Sequence, residues 1–147
     1  MNLVIRKMNM NDLDDLYILL SNKKTMEYIE EPFDKKKTEE FINKYGDTKN
    51  PLVFTVLDDN HFIGYVIFHD YDETSMEIGW VIKPEYWNKG YASRLTEILL
   101  KRIEKAHKDA IIECDTHQDV SKHIALKNGF KHIETVDGLD IYKKELR

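Results

Sequence analysis

A single cysteine, Cys114, is the only thiol in this 147-residue chain. It excludes an internal disulfide and suits a reducing compartment, so a cytoplasmic protein is expected. Cys114 lies in an apolar run and reads as a buried, inert thiol. Proline (3) and glycine (6) are too few for a collagen-like or low-complexity chain. Apolar runs reach only about four residues (Tyr17–Leu20, Tyr65–Phe68), far from the ~20 that span a bilayer. The opening Met1–Arg6 lacks the charged, apolar and cleavage regions of a secretory signal. No HExxH, CxxC or EF-hand loop is present, so no metal is expected. Net charge is −5, which argues against nucleic-acid binding by phosphate neutralisation. No internal repeat is visible.

What is present describes an ordinary globular chain. Leu, Ile, Val and Phe supply 41 of the 147 residues, well above the ~20% below which charged chains tend to disorder. Charged residues make up 33% and mean hydropathy is −0.56, giving a heavily solvated surface. A chain of this length buries roughly 68–70% of its unfolded surface. One domain, residues 1–147, is expected.

Patterning orders the elements. Leu3–Lys7 reads as a strand. Asn11 can cap a helix with Leu13, Leu16, Tyr17 and Leu20 on one stripe. Ser21–Pro32 is polar, a loop or a short irregular helix. Asp34 caps a second helix carrying Phe41, Ile42 and Tyr45 and closed by Gly46. Leu52–Leu57 and Phe62–Phe68 are strands joined by a turn at Asp58–His61. Ser75–Ile82 is a third strand, ended by Pro84. Gly90 opens a long helix with Ala92, Leu95, Leu99, Arg102 and Ile103 on one face. Glu97/Lys101 and Glu104/Lys108 are supportive i,i+4 pairs. Ala110–Asp115 is a short buried strand. Asp119 caps a helix to Asn128, stopped by Gly129. Phe130–Val136 and Leu139–Lys144 form a hairpin about Asp137-Gly138.

The order is β-α-α-β-β-β-α-β-α-β-β. Its strand–helix–strand crossover implies a parallel pair within a mixed, mostly antiparallel α/β sheet, with helices on both faces.

The most informative segment is Met76–Arg94: a strand, a proline stop, a loop and a helix start with small residues at 90, 92 and 93. The first turn of a helix leaves backbone N–H groups without helical partners and carries partial positive charge. Gly90 and Ala92 let an anion such as a pyrophosphate approach, and Lys89 and Arg94 add charge. Composition alone favours the plainer reading, in which Gly90 makes the turn and Ala92 lets the helix pack. There is no Walker loop and no GxGxxG.

Gly90-Tyr91-Ala92 within Pro84–Ser93 resembles the acyl-CoA signature of the GCN5-related N-acetyltransferases, Gln/Arg-x-x-Gly-x-Gly/Ala. The form Tyr86-Trp87-Asn88-Lys89-Gly90-Tyr91-Ala92 is similar to the branch containing the ribosomal-protein N-terminal acetyltransferases. Gln118–Ser121 followed by Lys127–Phe130 resembles that branch's Asn-x-x-Ser…Lys-x-Gly-Phe at matching spacing. Trp87 stands where many members carry Gln or Arg, and Gln118 replaces the usual Asn. Ala125 stands where many carry a tyrosine that protonates the departing thiolate.

The resemblance implies acetyl transfer from acetyl-CoA to a primary amine, on a peptide N-terminus or a small molecule, by direct attack in a ternary complex. The central parallel pair would splay to hold the cofactor, with the backbone of Trp80, Val81 and Ile82 pairing to the pantetheine. The loop of Trp87, Asn88, Lys89, Gly90, Tyr91, Ala92 and Ser93 would hold the pyrophosphate, with Gln118 nearby. A backbone N–H near Val81 would polarise the thioester carbonyl. Glu77 is the first candidate for the general base, ahead of Asp70, Asp72, Asp115 and His117; Ser121 is the candidate acid. The acceptor region would include Glu27, Tyr28, Glu30, Glu31 and Phe33, with Lys23, Lys24 and Lys35–Lys37 offsetting their charge. No nucleic-acid or membrane partner is expected, and a homodimer is allowed. The competing reading is a non-catalytic CoA-binding regulatory module of the same fold.

Overall fold

The computed structural model describes all residues, Met1–Arg147. Seven strands form one sheet in the order β1-β2-β3-β4-β5-β7-β6. They are β1 Leu3–Lys7, β2 Val53–Asp58, β3 His61–Asp70, β4 Ser75–Ile82, β5 Asp109–Asp115, β6 Lys131–Val136 and β7 Leu139–Lys144. The β4–β5 pair is parallel, whereas β1–β2, β2–β3, β5–β7 and β6–β7 are antiparallel. The helices are α1 Leu13–Leu20, α2 Lys23–Met26, α3 Lys35–Phe41, α4 Tyr91–Lys105 and α5 Asp119–Lys127. The mixed α/β sheet expected from the order of elements is therefore present. No helix is long and apolar enough to cross a membrane. The chain divides into two compact units, Met1–Ile67 with Trp80–Lys89, and Phe68–Gly79 with Gly90–Arg147.

In the first unit, Leu16, Leu19 and Leu20 of α1 and Ile42 pack with Val53, Phe62, Tyr65 and Val81. Phe41 sits 5.5 Å from the Tyr65 ring and 5.9 Å from Phe33, adding aromatic contact to area burial. Alternation accounts for the strand contribution: Val53 and Thr55 point to this core, and Thr55 pairs with Tyr65. The β2–β3 turn is tighter than Asp58–His61. Only Asp59 and Asn60 lie outside the strands, both left-handed at φ 48° and 67°, a two-residue hairpin turn.

The cap before α1 differs from the expected one. Asn9, not Asn11, caps a one-turn 3-10 helix at Met10–Asp12 that leads into α1. Its side chain accepts the Asn11 N–H, while Asp12 Oδ2 accepts the Asn9 N–H at 3.1 Å. Asp12 is 4% exposed and takes two bonds from Arg6, at 2.7 and 2.9 Å, and one from the Thr55 hydroxyl at 2.8 Å. Burial alone would raise its pKa. The bonds from Arg6, Asn9 and Thr55 outweigh that and hold it below the usual carboxylate range. Asp12→Ala is expected to cost about 2–3 kcal/mol in denaturant unfolding, below the ~3–5 for a wholly buried pair because Arg6 keeps solvent contact. The depressed pKa fixes the sign of the pH dependence. Asp12 stabilises above the ordinary carboxylate pKa and loses that contribution as pH falls through its folded value. Acid titration should therefore narrow the gap between wild type and Asp12→Ala.

Asn22 caps α2 within Ser21–Pro32, and Asp34 caps α3 as expected, accepting the Lys37 N–H at 2.7 Å. The continuation at Ile42–Gly46 is a π turn, which ends as Asp47 N–H reaches the Ile42 carbonyl at 2.7 Å.

In the second unit, α4 buries Leu95, Leu99 and Ile103, while Arg102 is exposed. The helix stops at Lys105 and His107 is left-handed at φ 57°, so Glu104 and Lys108 do not form a helical pair. Lys108 binds Asp70 instead, at 2.9 Å. Gln118, not Asp119, occupies the N-cap of α5, without a side-chain bond. Phe130 is buried before β6 begins at Lys131. Asp137 and Gly138, at φ 51° and 79°, make the final tight turn.

Candidate active site

Most of the cofactor candidates lie along one stretch of sequence, Trp80–Lys89 in the first unit and Gly90–Ser93 in the second. In the first unit β4 ends at Ile82, a 3-10 turn covers Pro84–Tyr86, and Trp87, Asn88 and Lys89 form the loop. Proline suits the first position of that turn because it has no N–H to leave unpaired. The Trp87 indole N–H donates to the Ile82 carbonyl at 2.7 Å, and Lys24 Nζ stands 5.1 Å above the indole. Asn88 is left-handed at φ 58°, and Lys89 Nζ lies 5.9 Å from the Tyr86 ring.

In the second unit Gly90, at φ 85°, is the N-cap of α4 and offers no side chain. The Arg94 N–H makes the first helical bond, to the Gly90 carbonyl at 3.0 Å, so the Ala92 and Ser93 amides precede the helix's own ladder. Ala92 and Ser93 are half-buried and small. These residues fit an anionic group: small side chains, backbone amides and the positive end of a 15-residue helix. Arg94 bends back to Glu97 at 3.1 Å.

Also in the second unit, β4 and β5 pair in parallel over Ser75↔Asp109, Met76↔Ala110 and Glu77↔Ile111. Paired residues share a face and alternate residues return to it, so Glu77 and Glu113 lie on the same face of adjacent strands. Glu77 is half-buried, with Oε1 3.8 Å from His69 Nε2. Burial raises its pKa first, the Glu113 charge raises it further, and His69 partly opposes both. The Tyr71 pKa rises to about 12, first because the Glu113 carboxylate favours its protonated hydroxyl and then through burial.

The other base candidates are committed elsewhere. Asp70 pairs with Lys108. Asp72 accepts the Thr74 N–H, which holds its pKa down. Asp115 accepts the His117 N–H at 2.8 Å, with the same consequence. The His117 side chain is 81% exposed. Ser121 is buried in the first turn of α5, next to Gln118 at its cap, and Ala125 is fully buried one turn on. Burial lifts the Cys114 thiol to about 11, consistent with an inert side chain.

Glu113 and Tyr71 are absent from the candidates found by motif. Alternation along Ala110–Asp115 could have placed Glu113 on a face, but not on the face of Glu77, whose partner is Ile111, because strand register is not written in local sequence.

A family model described as "Acetyltransferase (GNAT) domain" matches residues 2–131. With that match, the fold and the strand–loop–helix segment, the chain belongs to the GNAT acetyltransferase family. The "Uncharacterized N-acetyltransferase YnaD" of Bacillus subtilis (strain 168) is 35% identical over 102 residues, 67% of this chain and 60% of that protein's own length. The match thus spans less than two thirds of that relative. An acetyltransferase (GNAT family) from Bacillus anthracis has a similar structure, with a TM-score of 0.84 and 28% identity, covering 97% of this chain and 93% of that one. Spermidine N-acetyltransferase from Vibrio cholerae, in complex with CoA and spermine, shares the fold with a TM-score of 0.79 at 24% identity, over 97% and 93% of the two chains.

Proposed function

We propose that this protein is an N-acetyltransferase that moves the acetyl group of acetyl-CoA to a primary amine, of a peptide N-terminus or a small molecule, by direct attack in a ternary complex. The observation that carries the reading is the Trp80–Ser93 segment, in which an exposed left-handed glycine opens a long helix directly after a strand and loop. Family membership supports it, as do the CoA-bound Vibrio cholerae protein and a Thermoplasma acidophilum N-acetyltransferase in complex with coenzyme A.

In this reading the Ala92 and Ser93 amides hold the pyrophosphate, and Asn88, Lys89 and Gln118 are further candidates for contact with the cofactor. The backbone of Trp80–Ile82 pairs with the pantetheine amides as an added strand would, and a β4 amide stabilises the developing oxyanion. Acetyl-CoA supplies the activated acyl group. The amine must first lose a proton, because an alkyl ammonium has a pKa of ~10.4. Glu77 takes that proton, directly or through water. Ser121 returns one to the departing thiolate. Proximity supplies much of the remaining rate.

The test is thiol release from acetyl-CoA in the presence of small amines and N-terminal peptides. Acceptor-dependent release is expected. Binding of acetyl-CoA with no release on any acceptor would instead favour the CoA-binding module.

A further inference from the structure

Three contacts converge on Val81, Ile82 and Lys83, at the end of β4 and just beyond it. A Cβ on Gly64 would collide with the Val81 carbonyl oxygen and come within 3.0 Å of Ile82 Cα. Gly64 itself sits at φ 153°, so a side chain there meets backbone in a conformation L-residues rarely adopt. The Lys83 N–H donates to the Ile63 carbonyl at 2.9 Å. The Trp87 indole N–H donates to the Ile82 carbonyl at 2.7 Å.

Each contact acts on a planar peptide. In a trans peptide the C=O and N–H point in opposite directions. The Ile82–Lys83 peptide is therefore held at both ends, its N–H by Ile63 and its C=O by Trp87. The Val81–Ile82 peptide has its carbonyl turned toward Gly64, so the Ile82 N–H points away from β3. The donor offered on that side of β4 is thus the Ile82 amide rather than the Val81 amide.

We propose that Gly64 and Trp87 are positioning residues that clamp these two peptides and aim the Ile82 amide at the acyl-pantetheine end of the cofactor. The role rests on the acetyl-CoA reading above. Trp87 then acts through the Ile82 carbonyl rather than on the pyrophosphate. Lys24 over the indole ring helps keep it in place. Gly64 acts by having no side chain, letting the β3 backbone approach where any Cβ would push Val81 away.

Trp87→Phe keeps an aromatic ring but removes the indole N–H together with its five-membered ring, and so deletes the bond to the Ile82 carbonyl. Loss of one such bond predicts a five- to tenfold rise in KM for acetyl-CoA. Adenosine 3′,5′-bisphosphate, which lacks the pantetheine arm, should bind wild type and variant equally in calorimetry. Amide exchange at Lys83 should quicken about tenfold in the variant, because its peptide has lost one anchor. Gly64→Ala should give a larger KM increase if it folds. An unchanged acetyl-CoA KM in Trp87→Phe, or equal weakening of acetyl-CoA and the bisphosphate, overturns the clamp. Failure of wild type to bind acetyl-CoA overturns the proposed function and the cofactor role of the clamp together. In that case unaltered exchange at Lys83 would also remove the clamp as a structural device.

Discussion

Glutamate in place of Gly90 should abolish detectable acetyl-CoA binding, with a loss of at least about 100-fold in calorimetry. Two costs combine. The φ of 85° places residue 90 in the left-handed region, where a side chain costs roughly 1–2 kcal/mol. The carboxylate would also stand beside the amides proposed to hold a pyrophosphate, and juxtaposed like charges cost several kcal/mol. Gly90→Ala separates the two effects, since it pays the strain and adds no charge. Its loss should stay near tenfold. Both variants should unfold a similar few degrees below wild type, because they share the strain at residue 90, which is exposed and outside the core. Equal affinity for wild type and Gly90→Glu would remove the loop and the start of α4 from the cofactor site.

The sequence was most legible where structure depends on near neighbours. Ser75–Ile82, Leu3–Lys7 and Leu139–Lys144 have the expected limits because alternation and turn residues bound them on both sides. Asp137-Gly138 encodes its hairpin through two residues that tolerate positive φ. Legibility failed where a side chain serves a distant partner. Asn11 and Asp12 both resemble helix-start residues, yet Asp12 is drawn inward by Arg6 and Thr55, 43 positions away in the latter case, and the cap moves to Asn9. Lys108 fits an i,i+4 pair with Glu104, but the chain leaves the helix first and the lysine finds Asp70. In the candidate site, Gly90 and its small neighbours were visible as a motif because the loop is continuous in sequence. The Glu77–Glu113 relation was not, since it depends on which residues of two parallel strands face each other. Trp87 was visible as an aromatic in the loop. That its N–H turns back to Ile82 depends on the 3-10 turn between them.

The carboxylates on β4 and β5 lead to the second large expected effect. Glu77→Gln should lower kcat/KM by about 100-fold or more at neutral pH, the lower range of general base catalysis. The penalty should shrink toward alkaline pH, where the amine loses its proton unaided. Burial and the charge on Glu113 both disfavour ionised Glu77, so the acid limb of the wild-type pH–rate profile should lie above the ordinary carboxylate range. The sign can be tested from both sides. Glu113→Gln removes a like charge and should move that limb to lower pH. His69→Asn removes a group that favours the carboxylate when protonated, and should move it to higher pH. Because the two glutamates interact, the limb reports the pair rather than Glu77 alone. Opposite displacements in the two neighbour variants would therefore identify the titrating group as this cluster. An acid limb unmoved by both, with Glu77→Gln still active at neutral pH, would return proton removal to solvent and leave positioning as the main source of rate.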